Sequence, residues 1–173
     1  MKNAIQALFL LVLIFSRCTS EKLDAASAEK ESLELSSFNM PITLNVLKGA
    51  KASEGAEPED MLGMYTIFST RIFASEHFSL EVTATTIPGS TLDEVLAEKK
   101  GELQTESGFS KILAEKNDGF LYETKEINGE LNYSFLKVFI TENAYFIVTP
   151  QPKTDGNTSK DEAFFMFNIL NAK

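Results

Sequence analysis

Histidine and cysteine, two of the side chains that catalysis and zinc binding use most often, are scarce in this sequence. The chain has one histidine, His77, and one cysteine, Cys18. A serine hydrolase needs a histidine base near its nucleophile, and the sequence has no G-x-S-x-G segment. A structural zinc site needs three or four nitrogen or sulfur ligands, more than this pair supplies. We therefore expect no catalytic residue and no metal site, and we expect His77 to be a solvated or structural side chain.

The segment DGNTSKDE comes closest to a cation-binding loop. Asp155, Asn157 and Ser159 alternate along it, as the ligands of a calcium loop do. Lys160 stands where such a loop needs glycine, and Met166 stands where it needs a bidentate glutamate. A loop that caps a helix fits the segment better. The motifs G-x-x-x-x-G-K-[ST] and G-x-G-x-x-G are also absent from the sequence, so we expect no cofactor.

The charge balance is acidic. The chain carries 16 Lys and Arg against 25 Asp and Glu, for a formal net charge of −9. Such a surface repels phosphate backbones and anionic lipid headgroups. We therefore expect no nucleic-acid partner, and any attachment to a membrane must come from the N-terminus.

The N-terminus has the pattern of a secretion signal. Lys2 and the α-amino group form a positive region, and residues 4–15 are apolar except for Gln6. At 1.5 Å per residue this run covers about 18 Å of a hydrocarbon core that is about 30 Å thick. The run is too short to span a membrane comfortably and suits the core of a signal peptide. We predict that residues 1–17 are a signal peptide.

Cys18 follows the apolar run directly. The segment FSRC resembles the signal of bacterial lipoproteins, in which the thiol is diacylated and the cysteine becomes the new N-terminus. A single thiol has no partner for an internal disulfide, which favours acylation, and two or three acyl chains anchor a protein stably. Because Arg17 stands where that signal has a small residue, cleavage after Ser20 and an uncleaved anchor are the alternatives.

The composition changes along the mature chain. Residues 18–37 are rich in Ser, Glu, Lys and Ala, which predicts a flexible tether. The domain is predicted at 38–173 and begins with the strand PITLNVL, in which Ile42, Leu44 and Val46 alternate with polar residues. The polar segment Lys48–Asp60 is expected to be a loop, and two β-rich runs follow it.

The second half contains both predicted helices. Thr91 and Glu94 form a capping-box pattern before the first helix. A meander of strands follows, with a strong hairpin signal at Asn128-Gly129 and a weaker turn at Glu142-Asn143. Thr158 or Ser159 then caps a closing helix. The order β-β-β-α-β-β-β-β-α predicts an α+β fold with a single antiparallel sheet of about six to seven strands.

This layout resembles the PsbP-like superfamily, which includes the DcrB-related bacterial lipoproteins and a nuclear Ran-binding protein. The segments that carry the resemblance lie within residues 38–173 and are PITLNVL, GSTLDEVLAEK, AYFIVTPQP and EAFFMFNIL. The resemblance implies an α/β/α sandwich, in which helices pack on both faces of the sheet. It also implies a role in binding or stabilising protein partners.

The closing helix is apolar around most of its circumference. One stripe is expected to face the core, and it consists of Ala163, Phe164, Phe167 and Leu170. Phe165, Met166 and Ile169 fall beside or beyond that stripe, which makes them a possible partner surface. The alternative is a helix packed so deeply against the sheet that these side chains are buried as well.

The sequence therefore predicts a non-catalytic lipoprotein of the bacterial cell envelope. A lipid on Cys18 would hold it at a membrane, facing the periplasm or the cell surface, where it binds or stabilises a protein partner. The alternative is a soluble periplasmic binder of a small apolar ligand, and a hydrolase comes third. A pocket lined by Phe and Met would favour the ligand binder, whereas an exposed patch at Phe165–Ile169 would favour the partner binder. Converging carboxylates in a cleft would favour the enzyme.

Overall fold

The computed structural model of the protein describes residues 25–53, 59–61, 65–75, 78–87, 89–151 and 158–172. The predicted signal peptide, Cys18 and His77 lie outside the described residues. Eleven strands and two α-helices follow one another along the described ranges. The strands are β1 (Lys30–Glu34), β2 (Thr43–Leu47), β3 (Lys51–Ser53), β4 (Glu59–Met61), β5 (Tyr65–Ser75), β6 (Phe78–Thr85), β7 (Phe109–Lys116), β8 (Gly119–Lys125), β9 (Leu131–Ile140), β10 (Tyr145–Pro150) and β11 (Asn171–Ala172). The helices are α1 (Leu92–Thr105) and α2 (Lys160–Ile169).

The larger sheet has eight strands in the order β3-β5-β6-β10-β9-β8-β7, with β4 also paired to β5. The pairings are antiparallel, so the predicted α+β class with an antiparallel sheet is confirmed. The predicted number of strands was too small. Two strands of three residues each, β3 and β4, fall within or at the end of the segment Lys48–Asp60, where a loop was predicted. Both pair with β5, which is 11 residues long. Because β3 and β4 have only three residues each, they show no alternating pattern in the sequence.

A second sheet of three strands, in the order β1-β2-β11, corrects the prediction of a single sheet. It also corrects the predicted tether, because β1 lies within residues 18–37 and pairs with β2 from Lys30↔Leu47 to Glu34↔Thr43. The inner face of β1 carries few apolar side chains, so its alternation is faint in the sequence. Leu35, directly after this strand, is 0% exposed, and Ala25 and Ala28, ahead of it, also pack against the core.

Helix α2 packs against both sheets. Phe167 contacts Phe135 of β9 with ring centroids 5.9 Å apart, and the helix also contacts β2 of the small sheet. As a result Phe165 is 9% exposed and Met166 and Ile169 are 0% exposed. The structure thus buries the three side chains that the sequence suggested as a partner surface. The small sheet, which the sequence did not predict, explains why this helix is apolar on nearly every side.

Helix α1 begins at the predicted capping box. The Glu94 N–H donates to Thr91 Oγ1 at 3.3 Å, and the Thr91 N–H donates to Glu94 Oε2 at 3.0 Å. The helix packs on a separate apolar cluster, in which Val95 meets Val138 of β9 and Tyr145 of β10. Within the described ranges, no helix has both the length and the apolarity that crossing a bilayer requires.

The closing helix has the same kind of start. Of the two candidates for its cap, Ser159 is the residue that the structure uses, with its side chain accepting from the Glu162 N–H at 3.3 Å. The Ser159 N–H donates in return to Glu162 Oε2 at 2.9 Å. The hairpin predicted at Asn128-Gly129 is also confirmed, since it joins β8 to β9.

Candidate functional site

A cavity of about 350 Å³ lies where the turn between β9 and β10 meets the end of β6 and the segment before β2. It brings together residues that are far apart in the sequence. The residues that line it are Asn39, Pro41, Ala84, Thr86, Thr141, Glu142, Asn143, Ala144 and Phe146.

The floor of the cavity is apolar. Ala84, Ala144 and Phe146 belong to the main core cluster, with 2%, 8% and 0% of their surface exposed. Ala84 of β6 and Phe146 of β10 are paired across the two strands. Leu80, Val82 and Ala84 lie on the same face of β6. The side chain of Ala84 is the smallest of the three, and it leaves space that a leucine or a valine at position 84 would fill. The cavity therefore borders the hydrophobic core.

One wall of the cavity comes from the segment that leads into β2. Asn39 follows a short 3₁₀ helix, Ser36–Phe38, and has a left-handed backbone with φ of 59°. Asparagine tolerates this conformation better than most residues, because its short polar side chain can hydrogen-bond locally. Pro41 follows two residues later and fixes the backbone on the same side of the cavity.

The two threonines at the rim already have hydrogen-bond partners. Thr86 Oγ1 donates to the Thr66 carbonyl at 3.2 Å and accepts from the Thr66 N–H at 2.9 Å. Thr141 Oγ1 donates to the Ala144 carbonyl at 3.2 Å. These bonds fix the rim in place. The threonine hydroxyls thus serve mainly to shape the cavity.

The other three polar side chains at the rim are available to a ligand. Within the part of the chain that the structure describes, Asn39, Glu142 and Asn143 have no side-chain hydrogen bond or ion pair. Glu142 is the one ionisable residue among those that line the cavity. The site thus combines an apolar floor with two amides and one carboxylate at its mouth.

A buried lysine forms a second polar group, in the core between β9 and α2. Lys137 is 0% exposed, and its Nζ lies 2.6 Å from Asp118 Oδ2 and 2.8 Å from the Leu170 carbonyl oxygen. The same nitrogen is 5.2 Å from the centre of the Phe167 ring. Burial lowers the pKa of Lys137, although the hydrogen bond that Lys137 donates to Asp118 opposes this shift. With these partners Lys137 ties the end of α2 to the β7–β8 turn, which is a structural role.

A nearly buried glutamate lies on β8. Glu123 is 6% exposed, and its Oε1 accepts from Ser110 Oγ at 2.8 Å and lies 3.5 Å from Lys111 Nζ. The hydrogen bond from Ser110 lowers the pKa of Glu123. A carboxylate whose pKa is lowered is a weak base, so Glu123 is poorly suited to activating the Ser110 hydroxyl as a nucleophile. Among the described residues, no group of three or more His, Cys, Asp and Glu side chains is arranged to hold a metal ion.

None of the candidate functional residues predicted from the sequence is among the residues that line the cavity. Cys18, His77, Asp155 and Asn157 lie outside the described residues, and Ser159 caps α2. None of Phe165, Met166 and Ile169 lines the cavity. The cavity is lined by the turn predicted at Glu142-Asn143 and by residues of the segments PITLNVL and AYFIVTPQP, and neither a turn signal nor a strand pattern indicates a binding site by itself.

The comparisons of this chain with known proteins found no match. Comparisons of the chain with family models, with curated proteins and with solved structures each returned nothing similar. A function for this chain must therefore be argued from its own residues.

Proposed function

We propose that this chain is a non-catalytic binding protein of the bacterial cell envelope, and that it binds a small, mostly apolar ligand. The cavity at the β9–β10 turn is the observation that carries the proposal. Its volume of about 350 Å³ falls in the range of small-molecule sites, about 300–1,000 Å³, and a dry cavity of about 150 Å³ already holds benzene. An apolar floor and a few polar groups at the mouth are the usual composition of such sites.

The structure changes the order of the two binding hypotheses. A partner surface on α2 would require Phe165, Met166 and Ile169 to be exposed, and they are buried. A cavity with a phenylalanine in its floor favours the ligand binder instead, although no methionine lines it.

A protein partner is the second candidate, and an exposed part of β5 favours it. Phe73 is 48% exposed, an unusual exposure for a side chain of this size in a strand. Two positions earlier on the same face, Arg71 donates to Gln151 Oε1 at 3.4 Å, and Gln151 in turn donates to Glu81. Aromatic residues are enriched in protein interfaces, so Phe73 is the side chain on this face that a protein partner would contact. Crosslinking in the native host, with and without Phe73→Ser, would test this candidate.

The membrane attachment is proposed from the N-terminus. Six residues separate Cys18 from Ala25, which already packs against the core. At no more than about 3.6 Å per residue, a lipid on Cys18 would keep Ala25 within about 25 Å of the membrane surface. A tether of this length supports a protein that receives its ligand near the membrane or from it.

The intact mass of the mature protein from its native host tests the tether. We expect a mass that includes acyl chains on Cys18, and we expect the Cys18→Ser variant to lose them. A mature protein without lipid that begins after Ser20 would contradict the tether and would leave the cavity proposal standing.

We also infer a PsbP-like sandwich, with one helix on each face of the large sheet. In β9, Leu136 and Val138 belong to the cluster of α1, whereas Phe135 and Phe139 belong to the cluster of α2. Neighbouring side chains of a strand point to opposite faces, so this alternation supports helices on opposite faces. The residues of β10 alternate in the same way between the two clusters.

A bulky side chain at the mouth of the cavity provides a test of ligand binding. Asn143 is exposed at the rim, and Asn143→Trp places an indole over the opening. We expect the purified Cys18→Ser protein, which has no lipid to compete, to bind the neutral probe N-phenyl-1-naphthylamine saturably. We expect Asn143→Trp to weaken that binding at least tenfold, as measured by the fluorescence of the probe.

Asn117→Trp is the matched control for this substitution. Asn117 is also exposed, but it lies in the turn between β7 and β8, away from the cavity, so this variant should bind the probe as the parent protein does. Equal binding by both tryptophan variants would show that the probe binds elsewhere, and the cavity would lose its assigned role.

A further inference from the structure

The ionisable side chain that lines the cavity carries a negative charge. Glu142 is the one titratable residue among the described residues that line it, and no Lys, Arg or His does so. The chain as a whole has a formal net charge of −9. A ligand with a carboxylate or a phosphate would therefore meet repulsion at the mouth and no cation to offset it.

The hydrogen-bonding groups at the rim indicate which polar group of a neutral or positively charged ligand would bind there. The Asn39 and Asn143 amides each offer a carbonyl oxygen as well as an NH2 group and can turn the oxygen toward a donor, and Glu142 offers a carboxylate that only accepts. None of these side chains is engaged elsewhere within the described ranges. An alkylammonium group has three N–H donors and no acceptor, so its hydrogen-bonding needs match three acceptors around one opening.

The floor of the cavity indicates the chemistry of the part of the ligand that lies below the rim. Ala84, Ala144 and Phe146 present an apolar surface that is nearly closed to solvent. A hydrocarbon or aromatic body would lie against these side chains, would remove its own apolar surface from water and would leave a polar end at the rim.

We infer that the ligand is a protonated amine with an apolar body, whose ammonium group lies at Glu142 between Asn39 and Asn143. This inference rests on the proposed function, because it names the chemical class of ligand for the same cavity. The same arrangement disfavours negatively charged amphiphiles such as fatty-acid anions.

Three probes with one aromatic body test the inference in the Cys18→Ser protein. They are 1-naphthylmethylamine, 1-naphthalenemethanol and 1-naphthoate, which are positive, neutral and negative at pH 7. Exposed ion pairs contribute up to about 1 kcal/mol, which is about a fivefold change in affinity. We therefore expect calorimetry to show the amine binding about fivefold more tightly than the alcohol, and the naphthoate binding most weakly.

Two variants show whether Glu142 is the cause. Glu142→Gln should remove the preference for the amine and leave the affinity for the alcohol within about twofold. Glu126→Gln changes the net charge equally on a hairpin outside the cavity, so it should keep the preference. Alcohol binding that Asn143→Trp blocks, without a preference for the amine, would overturn this inference alone. If none of the three probes binds, the proposed function itself fails.

Discussion

Replacement of Lys137 by methionine is expected to lower the free energy of unfolding by about 3 kcal/mol, since breaking a buried ion pair costs about 3–5 kcal/mol. Methionine has a similar length but cannot donate to Asp118 or to the Leu170 carbonyl, which lie 2.6 and 2.8 Å from Lys137 Nζ. Asp118 retains 27% side-chain exposure, so water can solvate it in part and the loss falls at the low end of that range. Urea unfolding followed by circular dichroism measures the difference.

An exposed pair of similar geometry is the control. Lys48 Nζ lies 2.7 Å from Glu29 Oε2, with side-chain exposures of 65% and 74%. Exposed pairs contribute about 0.2–1 kcal/mol, so Lys48→Met should cost well under 1 kcal/mol. Equal effects of the two lysine substitutions would contradict the structural role of Lys137.

The pH dependence of stability separates burial of the charge from simple loss of packing. Burial lowers the pKa of Lys137 in the folded chain. Between that lowered pKa and the unfolded value of about 10.4, the unfolded chain binds more protons, so the free energy of unfolding rises with pH. Lys137→Met removes this contribution, and the deficit of the variant should grow as the pH rises through that window. A deficit that does not change with pH would contradict the lowered pKa.

Replacement of Gly119 by alanine is expected to cost about 3 kcal/mol or more, or to prevent folding. A Cβ at this position would collide with the Leu136 carbonyl oxygen and would lie 2.9 Å from the Cα of Lys137. Both are backbone atoms of the neighbouring strand β9, so no rotation of a side chain can relieve the contact. The β8–β9 pairing would have to shift, and with it the lysine that holds the end of α2. The same urea titration measures the loss.

Gly101→Ala is the control for the added methyl group. Gly101 lies within α1, and a Cβ built there meets no atom within 4 Å. Alanine is favoured over glycine in a helix by about 1 kcal/mol, so this variant should be more stable than the parent protein. Folding of Gly119→Ala with a loss below 1 kcal/mol would show that the two strands are less closely packed at Gly119 than the structure describes.

The elements with local signals were predictable from the sequence. The capping box at Thr91 and Glu94 marks the start of α1, and the Asn128-Gly129 pair marks the β8–β9 hairpin. In both cases the residues that determine the structure lie within a few positions of one another. The antiparallel α+β class follows from the order of such elements.

The small sheet and the cavity depend on contacts that the sequence does not display. Strand β11 has two residues and pairs with β2, more than a hundred residues earlier in the chain. Lys137 occurs in an apolar strand pattern, where a lysine suggests a solvent-facing position, and only Asp118 and Leu170 reveal why it is buried. The cavity combines three separate segments of the chain, none of which has the composition of a binding motif.

The most direct test of the central claim is a nuclear magnetic resonance titration of the Cys18→Ser protein, labelled with ¹³C at the alanine methyl groups. On addition of 1-naphthylmethylamine, we predict saturable shifts of the Ala84 and Ala144 methyl signals, together with nuclear Overhauser effects to the naphthyl protons. Ala114, on the far edge strand β7 of the same sheet, should not shift. Saturable binding that leaves the Ala84 and Ala144 methyl signals unchanged would contradict the account. So would the failure of all three probes to bind, namely 1-naphthylmethylamine, 1-naphthalenemethanol and N-phenyl-1-naphthylamine.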